Sequence, residues 1–216
     1  MVTKFHIELK ALKEDVLKMG ELAKDMLQKS VESLISQDME LADRVLSKKN
    51  EIMDMDDSIE QRALTLLTLY QPMAKDMRTI ACILKMITYL ARVGRYGKDI
   101  SVIAKELSTQ PHIAKLVNIP YMNKMVTDMI DDALIAFQTE DISSLQTFQE
   151  RDNSLDALRW SVFRECVTHM MEDSKIITRA AHYIMIARYL ERCGDHACKM
   201  AEKIHYMVTG ERIEIK

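Results

Sequence analysis

Apolar residues recur at steps of three and four along nearly the whole chain. Ile52, Met55, Ile59, Ala63 and Leu66 follow this spacing, as do Leu155, Leu158, Val162 and Cys166. Such spacing lays an apolar stripe down one face of a helix. The breaks between stripes are sharp. Ser36-Gln37-Asp38 closes the first, with Asp38 placed to cap the next helix. Gln71-Pro72 closes the second, and Pro72 suits the first position of the helix that follows. Thr109-Gln110-Pro111, Thr139-Glu140-Asp141 and Glu172-Asp173-Ser174 are the later breaks, and Gly210 stands just past the last stripe. The pattern predicts six helices, over 4–36, 38–70, 72–108, 120–139, 141–172 and 174–208. Long helices joined by short turns pack as antiparallel neighbours. The expected fold is therefore all-α: two antiparallel three-helix bundles, 1–110 and 120–210, a linker 111–119 and a tail 211–216.

The two bundles read as copies of one unit. Tyr189-Leu190-Glu191-Arg192-Cys193-Gly194-Asp195 matches Tyr89-Leu90-Ala91-Arg92-Val93-Gly94-Arg95 at Tyr, Leu, Arg and Gly, at one constant offset. The differences carry the chemistry. The second copy holds Glu191 and Asp195 where the first holds Ala91 and Arg95.

Composition supports helices and narrows the function. Only 5 Gly and 3 Pro stand against 17 Met, and aromatic residues make up 6% of the chain, too few for a sandwich or barrel. A net charge of -3 gives no basic footprint for nucleic acid. No apolar run reaches membrane-spanning length, and Lys4, His6, Glu8 and Lys10 interrupt any leader-like stretch. The expected location is the cytoplasm. Cys82, Cys166, Cys193 and Cys198 form no CxxC pair and read as reduced, packed thiols.

Glu191 and Asp195, four apart on a helix, share one face and repel each other unless a cation sits between them. Asp152 and Asp156 form a second such pair. Counted outward from the turn near Asp173, Asp156 falls level with Glu191 and Asp152 level with Asp195. Four converging carboxylates suit a hard cation such as magnesium, calcium, manganese or iron. Arg151, Arg159, Arg188 and Arg192 lie close by and offer the plainer alternative of ion pairs. The same count in the first half sets Ala91 opposite Glu51 and Arg95 opposite Ser47, so no metal is expected there and Arg95 is expected to pair with Glu51 or Asp99. A lone Glu202-Lys203-Ile204-His205 reads as ordinary helix surface, because di-iron bundles need two such motifs. His196, next to Asp195, is the outside candidate for a further ligand.

At these residues the chain resembles a known family. Gln71-Pro72-Met73-Ala74-Lys75-Asp76-Met77-Arg78-Thr79-Ile80 is similar to the QPxAxDLRxI signature of the PhoU family of phosphate-uptake regulators, and Tyr189-Leu190-Glu191-Arg192-Cys193-Gly194-Asp195-His196-Ala197 to its LERIGDHA signature. The resemblance implies two homologous three-helix bundles with metal clusters on their surface. Carried over position by position, it makes Glu191 and Asp195 ligands, with Asp152 and Asp156 at the acidic positions of the preceding helix. A divalent or ferric ion (iron, zinc, magnesium or manganese) is then expected in the second bundle only. Asp76 and Arg78 match the DLR positions, and with Arg192 they are expected in salt bridges or partner contacts. The implied function is non-enzymatic: a homodimeric negative regulator of phosphate uptake that contacts the phosphate ABC transporter ATPase and, in many bacteria, a sensor histidine kinase. It would touch the membrane only through the transporter. A metal-dependent phosphohydrolase working through the same carboxylates is the alternative.

Overall fold

The computed structural model describes residues 2–215. Six helical arms follow one another, the second of them kinked. They are α1 (Val2–Ser36), α2 (Met39–Ser47) with α3 (Lys49–Tyr70), α4 (Ala74–Leu107), α5 (Asn118–Thr139), α6 (Phe148–Glu172) and α7 (Ile177–Thr209). Among the described residues there is no strand.

Local chemistry sets most of the boundaries. Asp38 caps α2, its side chain accepting from the Leu41 amide at 2.9 Å. Gln71 and Glu140 close α3 and α5 in the left-handed region, and Gly210 closes α7 there at φ 80°, where a missing Cβ removes the steric cost. Several boundaries differ from the sequence reading: α5 begins at Asn118, ahead of Pro120, and α7 begins at Ile177 after a 3₁₀ turn over Ser174–Ile176. The second arm bends at Lys48, whose amide turns back to Val45 in a tighter bond than the helix repeat. Pro72 lies ahead of α4, which begins at Ala74 after an extended Met73. The stretch before α6 is a 3₁₀ turn, Ser143–Thr147, opened by Asp141 accepting from the Ser143 amide.

In the first half, α1, the α2–α3 arm and α4 pack on one another; in the second, α5, α6 and α7 do. The halves meet where α4 crosses α7 antiparallel and α1 lies on α5. Tyr96 stacks on Tyr189, Tyr89 stacks on His196, and Arg78 donates to the Met207 carbonyl. A single apolar core runs through both halves, from Leu12 and Met19 through Ile83 and Leu90 to Phe137, Leu190 and Met200, all fully buried. The twin motifs therefore form the spine of the molecule, back to back.

Gly97 shows how close α4 comes to α1. A Cβ there would sit 2.9 Å from the carbonyl carbon and oxygen of Met26 and 3.0 Å from the Leu27 nitrogen. Backbone cannot swing aside as a flexible side chain does. Gly97→Ala is expected to lower stability by about 2 kcal/mol, within the usual range for overpacking. Denaturant unfolding checks this, and a midpoint equal to that of the unaltered chain would refute it.

Candidate functional site

The carboxylates identified by counting do gather. Glu191 and Asp195 project from the middle of α7, and Asp152 and Asp156 from the facing stretch of α6, at adjacent heights. Gly194 lets the helices approach, since a Cβ there would strike the Leu155 side chain and lie 3.8 Å from Asp152 Oδ1. Each pair feels the other. Burial first, and then the charges of Asp195 and Asp156, hold the Asp152 carboxyl above its usual range; a thiol hydrogen bond from Cys198 and the charge of Lys199 oppose this. Burial raises Glu191 likewise, with Asp195 and Asp156 adding to it and Arg188 and Arg192 resisting.

The arginines hold this patch together. Arg188 Nη1 donates to Glu191 Oε1 at 2.6 Å, and Arg192 Nη1 donates to Asp195 Oδ2 at 2.8 Å. Arg159 Nε stands 4.0 Å from Glu191 Oε1 and lays its guanidinium over Trp160. The Glu191 side chain is 9% exposed, and its Oε2 accepts no hydrogen bond. Arg192 Nε stands 3.9 Å from that oxygen. A buried carboxylate oxygen without a donor costs free energy. The patch is thus acidic, incompletely neutralised and built from oxygen donors, which fits a hard cation. As it stands, no three His, Cys, Asp or Glu side chains among the described residues form a ready-made cage. To hold a cation, Glu191 and Asp195 must turn from their arginines. Arg188 and Arg192, at 40% and 45% exposed, are free to let go.

The remaining candidates serve other ends. His196 faces away from the carboxylates, stacked between Tyr89 and Tyr96 where the halves meet. Asp76 sits in the first turn of α4, 3.5 Å from the His6 ring. Arg78 reaches the Met207 carbonyl rather than a carboxylate, so the two DLR positions tie helix ends together without pairing with each other. Glu202 is not surface: it is 7% exposed and accepts from Lys199 and from the Ile215 amide, pinning the tail. His205 contacts the Glu211 carbonyl in the same tail. Burial raises all four thiols, Cys82 to about 12 and Cys166 to about 11, so none is a ready nucleophile. The hydrogen bond from Cys198 to Asp152 was not legible in the sequence; only the shared height of the two residues hints at it.

In the first half, Arg95 pairs with neither expected partner. Glu51 is taken by Lys48 at 2.7 Å and Asp99 by Lys98 at 2.6 Å. Close neighbours along the chain reach those carboxylates first.

Fold and site define a class: a duplicated three-helix-bundle protein with a carboxylate patch on one copy. The PhoU domain family model matches residues 16–104 and 119–204, one stretch in each half. The chain belongs to the PhoU family. It is 35% identical, over 96% of its length and 94% of the relative's, to a phosphate-specific transport system accessory protein PhoU homolog from Aquifex aeolicus. It is 34% identical to a homolog of the same description from Rhizobium meliloti, covering 97% of this chain and 89% of that one. The crystal structure of PhoU from Pseudomonas aeruginosa superposes with a TM-score of 0.92 at 31% identity, covering 96% of this chain and all of that one.

Proposed function

We propose that this protein is a non-enzymatic accessory regulator of a phosphate transport system, restraining uptake by contact with the transporter's ATPase. The observation that carries this reading is the match of both halves, over nearly their full length, to relatives described as accessory proteins of phosphate-specific transport. A sensor histidine kinase is the second candidate partner, and a homodimer the expected assembly. Among the described residues no helix is long and apolar enough to cross a membrane, so contact with the membrane would run through the transporter. Exposed apolar side chains at the helix turns, Met73 at 80% and Met171 at 85%, offer adaptable contact points.

Within this role, Glu191, Asp195, Asp152 and Asp156 would hold a divalent or ferric cation. The cation would supply positive charge that lets four carboxylates stay ionised together. The residues themselves shape the patch: Arg188 and Arg192 neutralise it when it holds no cation, and Cys198 orients Asp152.

Affinity capture from phosphate-replete cells, with the captured proteins identified by mass spectrometry, tests the regulatory reading. The expected result is recovery of the phosphate-transporter ATPase, lost when phosphate is withdrawn. Recovery of neither that ATPase nor a kinase, together with cation-dependent release of phosphate from an ester, would replace this reading with the hydrolase.

A further inference from the structure

We propose that the first half carries a site for a small tetrahedral oxyanion at the place where the second half carries its carboxylates. The twin glycines fix the correspondence between halves. A Cβ on Gly94 would run into the Ile52 side chain, and one on Gly194 into the Leu155 side chain. Ile52 and Leu155 therefore occupy the same place against equivalent helices. Stepping back from each by the same amount sets Lys49 at the position of Asp152; stepping forward sets Met53 at that of Asp156. On α4, Ala91 stands for Glu191 and Arg95 for Asp195. Four carboxylates have become two cations and two uncharged side chains.

This register differs from simple counting along the chain, which sets Glu51 and Ser47 in those places. The turn between the helices accounts for the shift, because Pro72 and the extended Met73 delay α4 to Ala74 and centre the hairpin near Pro72 rather than Gln71.

The exchanged residues still share a space. Lys49, Met53, Ala91, Gly94 and Arg95 line an open cavity of about 410 Å³, and Lys98 adds a third cation. Among the described residues, neither Lys49 nor Arg95 enters an ion pair or a side-chain hydrogen bond, whereas Lys98 is shared with Asp99. Two carboxylates face the same cavity, Asp56 and Asp57. Burial, and then the charges of Glu60 and Asp57, raise the Asp56 carboxyl. With Lys98 engaged by Asp99, Lys49 and Arg95 are the two unengaged cations of the cavity, set against Asp56 and Asp57. A guanidinium fork meets two oxygens of a tetrahedral oxyanion at once, and an ammonium adds a point charge beside it. The oxyanion class rests on the charge inversion; inorganic phosphate as the probe rests on the proposed regulatory role.

The test is calorimetric titration of inorganic phosphate into the full chain after chelation, so that no cation in the second half bridges to phosphate. Saturable binding is expected, weakened about tenfold or more in Lys49→Ala plus Arg95→Ala, a change of about 1.4 kcal/mol. Both side chains are exposed, so the variant should fold, which thermal unfolding checks. The triple variant Lys49→Asp, Ala91→Glu and Arg95→Asp rebuilds the acidic copy; it should lose phosphate and gain manganese. Competition by sulfate supports the oxyanion class. No saturable phosphate binding, or equal affinity with and without Lys49 and Arg95, overturns the inference. Capture of the transporter ATPase by a protein that binds no phosphate would overturn it while leaving the regulatory role intact. Phosphate binding lost in the double variant without any transporter contact would do the reverse.

Discussion

Acidifying the metal-free protein from pH 7 towards pH 4 will remove about 3 kcal/mol of folding stability through His196 alone. His196 is 8% exposed, with ring centroids 5.6 Å from Tyr89 and 6.0 Å from Tyr96, and its Nε2 finds no hydrogen-bond partner. Burial pushes its pKa from 6.5 down to about 4; Arg92 and Arg192 push the same way, and Asp195 opposes them. A depressed histidine is neutral in the folded chain while the unfolded chain already binds a proton. Stability is therefore complete above 6.5 and lost as pH falls through the window down to about 4. Asp152 and Glu191 act with the opposite sign. Their raised pKa values mean the folded form takes up protons first, so acidification relieves them. His196→Phe isolates the histidine, since a ring of similar shape keeps the stack and carries no proton. Urea unfolding at a series of pH values should show the two proteins diverging below pH 6.5. Parallel curves down to pH 4 would remove the histidine from the account.

The second large effect is cation-dependent stability. After chelation, manganese or magnesium at a hundredfold excess over its dissociation constant should raise unfolding free energy by about 3 kcal/mol. The gain should shrink on acidification, because protonating Asp152 and Glu191 removes ligands, and their raised pKa values bring this loss closer to neutrality than for free carboxylates. Asp195→Asn with Glu191→Gln should abolish the gain while changing the stability of the metal-free protein far less, since the repulsion it ends is offset by the ion pairs to Arg188 and Arg192 that it removes. Bound metal measured by elemental analysis decides the assignment. Unchanged metal content in the double variant would falsify these residues as ligands.

These two results would come from neighbouring residues facing different ways. Asp195 looks out towards α6, and His196 looks into the seam between halves. Consecutive helix positions lie about 100° apart, so a single helix can carry a solvent-facing site and an inter-bundle contact without conflict. In α7 the carboxylate face and the histidine face share the same turn. A cation held by the carboxylates would sit on the same turn of the helix that joins the two halves.

Much of this was legible in one dimension. Apolar spacing and breaks at Asp38, Gln71, Glu140 and Gly210 define the helical arms, because capping and left-handed closure depend on a few adjacent residues. The meeting of Asp152 and Asp156 with Asp195 and Glu191 also follows from the chain, since α6 and α7 join by a tight turn and rise equally per residue. What lay outside the sequence depended on contacts between segments far apart along it. The bend at Lys48 has no proline or glycine to announce it, and the late start of α4 at Ala74 slid the first-half register, putting Lys49 where Ser47 was counted and Met53 where Glu51 was. His196 became a buried neutral ring only because α4 brought Tyr89 and Tyr96 against it, and Glu202 went under only because the tail folded back. Periodicity marks one apolar face per helix; which second face is covered, and by what, is decided when the halves pack.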